Sequence, residues 1–277
     1  MLAPDPAADA LRRQRESEFH DGWASSLRPE DVLVDETFLS PTAVENQHIL
    51  KQFGDLRGKR ILDYGCGAGE GAVFLAKQGG SVVGVDVSGT MLETAKRLAA
   101  HHGVSIETRI VTSEKIPGDD REFDLIYGNG VLHHVNQDFA RPELARVMKD
   151  GGKGCFIEPL PYNPLINAYR RIAKEVRTPD EIPLTFADVD KFRQSFGHLE
   201  HREFWLTSLA VFLKFYLVER VDPNKERYWK KIYTDAARIE PFFTPLARLD
   251  DWLLGRVPML GRLCWETVIT VSEPRRP

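Results

Sequence analysis

The chain has 277 residues, 42% hydrophobic and 28% charged. That mixture excludes a disordered polymer and suits one sizeable core, or one core with an attached lid. A formal net charge of −4 leaves no basic footprint and argues against nucleic acid as a partner. Cys66, Cys155 and Cys264 never fall at zinc-like spacings, so no metal is expected and the thiols read as reduced groups in a cytoplasmic core.

Residues 1–15 are rich in Ala, Pro, Asp and Arg and read as loose. No apolar core interrupts residues 1–20, so no secretory signal is expected. Residues 16–56 read as an N-terminal helical arm, with Phe19-His20-Asp21-Gly22-Trp23-Ala24 its most distinctive part. Residues 57–277 then read as the main domain. Strands are expected at about 60–64, 81–86, 105–110, 123–128 and 153–158, with a helix over residues 70–78. A helical pattern at Asp188–Phe196 precedes a sixth strand at Leu199–Leu206, and the apolar, β-branched run Leu263–Ser272 suits a seventh.

Ile61-Leu62-Asp63-Tyr64-Gly65-Cys66-Gly67-Ala68-Gly69 is the most informative run. A buried strand enters a glycine turn, and a helix leaves it. The next strand, Val82-Val83-Gly84-Val85, ends in Asp86, 21 residues beyond Gly65. Strand, glycine turn, helix and strand ending in a carboxylate make a mononucleotide-binding half of a doubly wound sheet. The glycines allow positive φ and close approach of a ligand, and Asp86 is placed to accept from both hydroxyls of a ribose. A dinucleotide turn would carry glycine where Glu70 stands. Glu70 in the first helical turn would repel a pyrophosphate, and Asp63 adds a second negative charge. A sulfonium ligand with an ammonium group fits that field better than a phosphate does.

Three further runs follow in order. They are Val87-Ser88-Gly89-Thr90-Met91-Leu92, then Phe123 to His134, then Arg141 to Gly152. On these landmarks the segment from about Gly58 to Pro159 resembles the class I S-adenosylmethionine-dependent methyltransferases. The resemblance implies a Rossmann-like, mostly parallel seven-stranded sheet with an antiparallel last strand, an enzyme, and S-adenosylmethionine as cofactor. It implies cofactor contacts from Asp63, Gly65, Cys66, Gly67, Asp86, Val87, Met91, Asn129 and Gly130. Where the family commonly holds the adenine amino group with an Asp, this chain has Thr112, followed by Ser113 and Glu114. Ser113 and Glu114 are the expected adenine contacts, although Glu114 reads equally as an exposed loop acid.

Methyl transfer needs donor and acceptor held in line, with a base only where the acceptor must lose a proton. His133, after the fourth strand, is the preferred base, with His134 expected in the core; the alternative is that both only bond within their turn. Glu158, ending the fifth strand, is a second candidate. His20 is a third, should the arm cover the site.

Two inserts, 160–187 and 207–262, are expected to form a helical cap over the site. Phe204-Trp205-Leu206 and Leu209–Val218 are apolar on nearly every face. That run is too short and too charged at its ends for a membrane span. It reads as a helix buried between sheet and cap, or in a subunit interface of a homo-oligomer. Arg170, Lys174 and Arg177 share one helical face, which suits either a grip on an anionic substrate group or, preferably, a solvated surface. The expected partner is a lipophilic small molecule, methylated at carbon or oxygen. Competing readings are a polar acceptor such as a sugar, amine or protein side chain, and a non-catalytic cofactor-binding scaffold.

Overall fold

The computed structural model describes residues 15, 17, 18, 21, 22, 24, 27–111, 115–173 and 182–276. Helices α1 (Glu36–Leu39) and α2 (Val44–Phe53) lead into β1 (Arg60–Tyr64), α3 (Glu70–Lys77), β2 (Ser81–Asp86), α4 (Gly89–His101) and β3 (Glu107–Ile110). Next come β4 (Phe123–Asn129), α5 (Gln137–Val147), β5 (Met148–Pro159) and α6 (Pro164–Ile172). The chain closes with α7 (Phe186–Asp190), β6 (Phe196–Phe204), α8 (Ala210–Leu213), α9 (Tyr228–Thr234), α10 (Ala236–Arg256) and β7 (Glu266–Pro274).

The strands lie in the order β3-β2-β1-β4-β5-β7-β6. β7 runs antiparallel between β5 and β6, and the remaining neighbours pair in parallel. This is the doubly wound α/β sheet with an antiparallel last strand. Helices cover both faces, so the central strands are apolar on both sides. Ile61 joins Ile49 of α2 and Phe74 of α3 on one face, while Leu62 joins Val83, Ile126 and Leu144 on the other. Phe38 stacks flat on Phe74 at 4.0 Å, so residues 36–53 share the sheet's core.

β1 and β2 fall where the sequence placed them; later boundaries shift. β5 begins at Met148, five residues before the expected strand, and its pairing with β4 shifts register between Phe123 and Leu125. The helix expected at Asp188–Phe196 starts earlier, where Thr185 and Asp188 cap each other, and ends as a tighter turn at Lys191–Gln194. Phe196 is fully buried and already belongs to β6. β6 ends at Phe204 because Trp205 turns to φ +66°. β7 starts at Glu266, since Pro258–Leu263 coil as a 3-10 helix.

The apolar run at 209–218 is not buried all round. α8 widens into a π turn at Lys214–Val218. Val211, Phe212 and Phe215 face the core, while Leu213, Tyr216, Leu217 and Val218 face outward. Among the described residues, no helix is long and apolar enough to cross a membrane. β1 leads toward β2 on one side and β4 lies on the other, so the strand order reverses between them. A ligand crevice opens there, beyond the strands' carboxyl ends.

Candidate functional site

The glycine turn after β1 is built by three left-handed backbones. Gly65 has φ +74°, and a Cβ there would lie 2.5 Å from Val131 Cγ2. Gly69 has φ +94°, and its Cβ would meet Ala95 Cβ at 2.7 Å. Neither position admits a side chain. Asp86, at the end of β2, pins the turn: one oxygen accepts from the Gly67 amide at 3.0 Å and the other from Ser88 at 2.9 Å. Cys66 plays a packing part. Its Sγ would stand 2.9 Å from a Cβ on Gly84, so the thiol lies against β2, and burial pushes its pKa up.

Asp63 pairs in register with Tyr127 across β1 and β4. It is almost fully buried, and its Oδ2 has no hydrogen-bond partner. The Ala72 amide in the first turn of α3 is turned toward this carboxyl. Burial, reinforced by Glu70 and then Asp86, raises the Asp63 pKa to about 8. The helix N-terminus that would receive a pyrophosphate thus already faces a carboxyl. An orphaned buried acid beside Glu70 suits a cationic ligand. These residues fit the sulfonium and ammonium groups of S-adenosylmethionine.

Val87 follows β2, and Met91 lies in the first turn of α4. Ser88 caps α4 by accepting from the Met91 amide at 3.0 Å, and Met91 is fully buried against Ala24 and Ala68. The N-terminal arm reaches this corner. Asp21 Oδ1 accepts from Ser88 Oγ at 2.5 Å, and Ser17 Oγ donates to the Val87 carbonyl at 3.5 Å. His20, Ser113 and Glu114 lie outside the described residues, as do Lys174 and Arg177. Arg170 is directed inward, donating to the Leu160 carbonyl and to Asn167 at 3.0 Å each.

His133 and Glu158, read separately from the sequence, form one unit. His133 Nδ1 stands 2.7 Å from Glu158 Oε2. Glu158 is fully buried and accepts from the backbone amides of Val131 (3.0 Å), Leu132 (2.6 Å) and His133 (3.3 Å). With backbone donors on both oxygens it acts as an acceptor, so the Nδ1 proton donates to it and Nε2 is left as the basic nitrogen. The His134 ring packs tilted by 40° against His133, centroids 4.0 Å apart, and is half-buried rather than in the core. Asn129 is exposed at the end of β4, and Gly130, at φ +66°, turns the chain past the His133 ring.

The sequence reading missed several buried or half-buried polar groups beyond these strand ends. Tyr127 donates to Asn46 Oδ1 at 2.9 Å, which brings α2 onto β4. Glu45, Trp205, Tyr233 and Glu266 lie together farther along. No spacing links them, since they come from α2, the end of β6, α9 and the start of β7.

The methyltransferase-domain family model matches residues 61–152. A ubiquinone biosynthesis O-methyltransferase from Chelativorans sp. is 41% identical over 96 residues, which cover 34% of this chain and 38% of that protein. The protein of the same name from Alkalilimnicola ehrlichii is 31% identical over 158 residues, covering 55% of this chain and 63% of that one. The chain therefore spans less than two thirds of these relatives. Among solved structures, a Haloferax volcanii putative methyltransferase in complex with its Trm112 activator superposes with a TM-score of 0.57 at 16% identity, covering 92% of this chain and 98% of that one. A Haemonchus contortus phosphoethanolamine N-methyltransferase 2, in complex with phosphomonomethylethanolamine and S-adenosylhomocysteine, also gives 0.57, at 19% identity over 98% of this chain and 62% of that one. At these identities the structures speak for the fold alone.

Proposed function

Because residues 61–152 are a class I, S-adenosylmethionine-dependent methyltransferase domain, we propose that the whole protein methylates a hydroxyl oxygen of a lipophilic, quinone-type small molecule. S-adenosylmethionine supplies a methyl carbon already activated by its sulfonium. The remaining work is positioning, exclusion of water and handling one proton. Asp63 and Glu70 favour the cofactor's cationic groups, Asp86 accepts from its ribose, and the glycine turn lets it approach the backbone. His133 Nε2 takes the acceptor's hydroxyl proton, while Glu158 holds the ring in the needed tautomer and stabilises the imidazolium that forms.

The 2.7 Å His133–Glu158 contact at the mouth of the glycine turn carries this reading. A methyltransferase of an already nucleophilic acceptor needs no such base. The O-methyltransferase relatives and the apolar cap residues support a lipophilic oxygen acceptor. The test is transfer of labelled methyl from S-adenosylmethionine to a panel of alkylated phenols, quinols and amines. His133→Ala is expected to lower kcat about 10²–10⁴-fold, with affinity for S-adenosylhomocysteine unchanged. Glu158→Gln should follow it in part. Labelling of amines only, or full turnover in His133→Ala, would overturn the proposal.

A further inference from the structure

α10 has three sides, and the fold accounts for two of them. Ile239, Phe243 and Asp250, at helical spacing, are buried against the core. Glu240, Thr244 and Asp251 mark a polar side, where Asp251 accepts from Arg202 at 2.9 Å. The third side carries Phe242, Pro245, Leu249 and Trp252, three and four residues apart, so they form one stripe. All four are exposed. The stripe continues past the helix end into Val257 and Met259. Trp252 is 57% exposed and Met259 is 77% exposed. Apolar surface left open in a continuous stripe marks a place where something docks.

Charge says what docks there. Residues 207–262 hold ten Lys and Arg against seven Asp and Glu, so this insert is +3 within a chain of −4. Arg248, Arg256 and Arg262 are exposed beside the stripe, and none of them pairs with a carboxylate among the described residues. The Arg256 guanidinium lies 5.7 Å over the Trp252 ring. An indole under a guanidinium has an apolar body and a charged tip, which suits the boundary between hydrocarbon and water. A second copy packed here about a two-fold axis would set these arginines against their own counterparts, with no carboxylate on the stripe to meet them. Side chains that stand this far out line no groove for a rigid partner. They suit a surface that yields.

We propose that the Phe242–Trp252 stripe of α10, with Val257 and Met259, docks on a lipid bilayer that carries anionic headgroups. The apolar side chains enter the boundary layer, and Arg248, Arg256 and Arg262 meet the headgroup phosphates. α10 lies along the surface and does not cross it. This goes beyond the methyl-transfer reading and does not depend on it, since docking needs neither cofactor nor acceptor.

The experiment is flotation of the full chain with two kinds of vesicle, phosphatidylcholine alone and phosphatidylcholine mixed with phosphatidylglycerol. The wild type should bind the anionic vesicles at least about tenfold more tightly than the neutral ones, and the preference should shrink at high salt. Trp252→Gln combined with Met259→Gln should weaken binding at least about tenfold. Arg256→Gln combined with Arg262→Gln should weaken binding to the anionic vesicles about thirtyfold. All these positions are exposed, so the denaturant midpoint should hardly move in either variant. Failure of the wild type to float with either vesicle would overturn the proposal, as would equal flotation of the wild type and both variants. A dimer seen by sedimentation without vesicles, and dissociated by the Trp252→Gln and Met259→Gln pair, would also overturn it and assign the stripe to a second copy.

Discussion

The crevice has two halves, and they are made in opposite ways. The cofactor half comes from consecutive chain: strand, turn, helix, strand, with Asp63, Gly65, Gly69 and Asp86 all inside residues 60–86. The proposed acceptor half, with His133 and Glu158, is collected from the ends of β4 and β5. Local backbone geometry dictates the first, through turns that only glycine can make. Long-range packing dictates the second, so its residues leave no local pattern. Val131 joins the two: its side chain fills the space over Gly65, and its amide binds Glu158.

That junction is the place to break the comparison. Gly65→Ala puts a Cβ 2.5 Å from Val131 Cγ2 at a φ of +74°. The left-handed backbone and the overlap together should cost about 2–5 kcal/mol, measurable by denaturant unfolding. Uptake of S-adenosylhomocysteine should be lost, and the Val131 shift should disturb the His133–Glu158 unit too. Adding Val131→Ala removes the clashing methyl and should recover part of the stability, leaving only the backbone strain. No recovery would mean that the turn and the base are not coupled through this contact.

Asp63→Asn probes the cofactor half alone. The folded carboxyl titrates at about 8, against an ordinary 3.8. Below pH 4 both folded and unfolded chains hold the proton, and burial adds no pH-dependent cost. Between pH 4 and 8 the unfolded chain ionises while the folded carboxyl does not, so wild-type stability falls as pH rises, and the loss is complete above pH 8. Asn carries no such dependence. The variant should match the wild type at pH 4 and exceed it by about 5 kcal/mol at pH 8, in the absence of cofactor. It should also bind S-adenosylhomocysteine less tightly, because a cationic ammonium beside Asp63 favours the ionised form. By the same argument, uptake by the wild type at pH 7 should release a proton, seen as binding heats that differ between buffers of unlike ionisation enthalpy. Stability curves that stay parallel from pH 4 to 8 would refute the burial argument.

The same contrast decides what the sequence made legible. β1, β2 and the glycine turn are local decisions and fall at the expected residues, as does the reversal of strand order that follows from them. β6 and β7 define each other by antiparallel pairing from Phe196↔Pro274 to Phe204↔Glu266, so neither end could be read from its own segment. His133 after the fourth strand and Glu158 ending the fifth were each visible as polar residues, but their union needed the parallel β4–β5 pairing. Glu45 carried no signal: an acid in the first turn of α2 is ordinary helix chemistry, and only its burial sets it apart.

Tyr127→Phe tests how firmly the halves are held. The phenol donates to Asn46, which is fully buried and itself donates to the Thr37 carbonyl at 2.9 Å. Removing the hydroxyl leaves Asn46 Oδ1 without its donor and should cost about 1–2 kcal/mol. Denaturant unfolding measures the loss, and an unchanged unfolding free energy would show that this bond does not hold α2 to β4.

The smallest effect is expected on the outward face of the π turn after α8. Leu217 is 65% exposed and Phe215, two residues earlier, is fully buried against Tyr228 at 5.4 Å. The π turn rotates one into the core and the other out, so the apolar run has two fates that its composition hides. Leu217→Gln removes almost no burial and should change unfolding free energy by less than about 0.5 kcal/mol. The measurement is made at two protein concentrations a hundredfold apart. A loss above about 1 kcal/mol that appears only at the higher concentration would show that a second copy covers this face in solution, which is the homo-oligomer the apolar sequence allows.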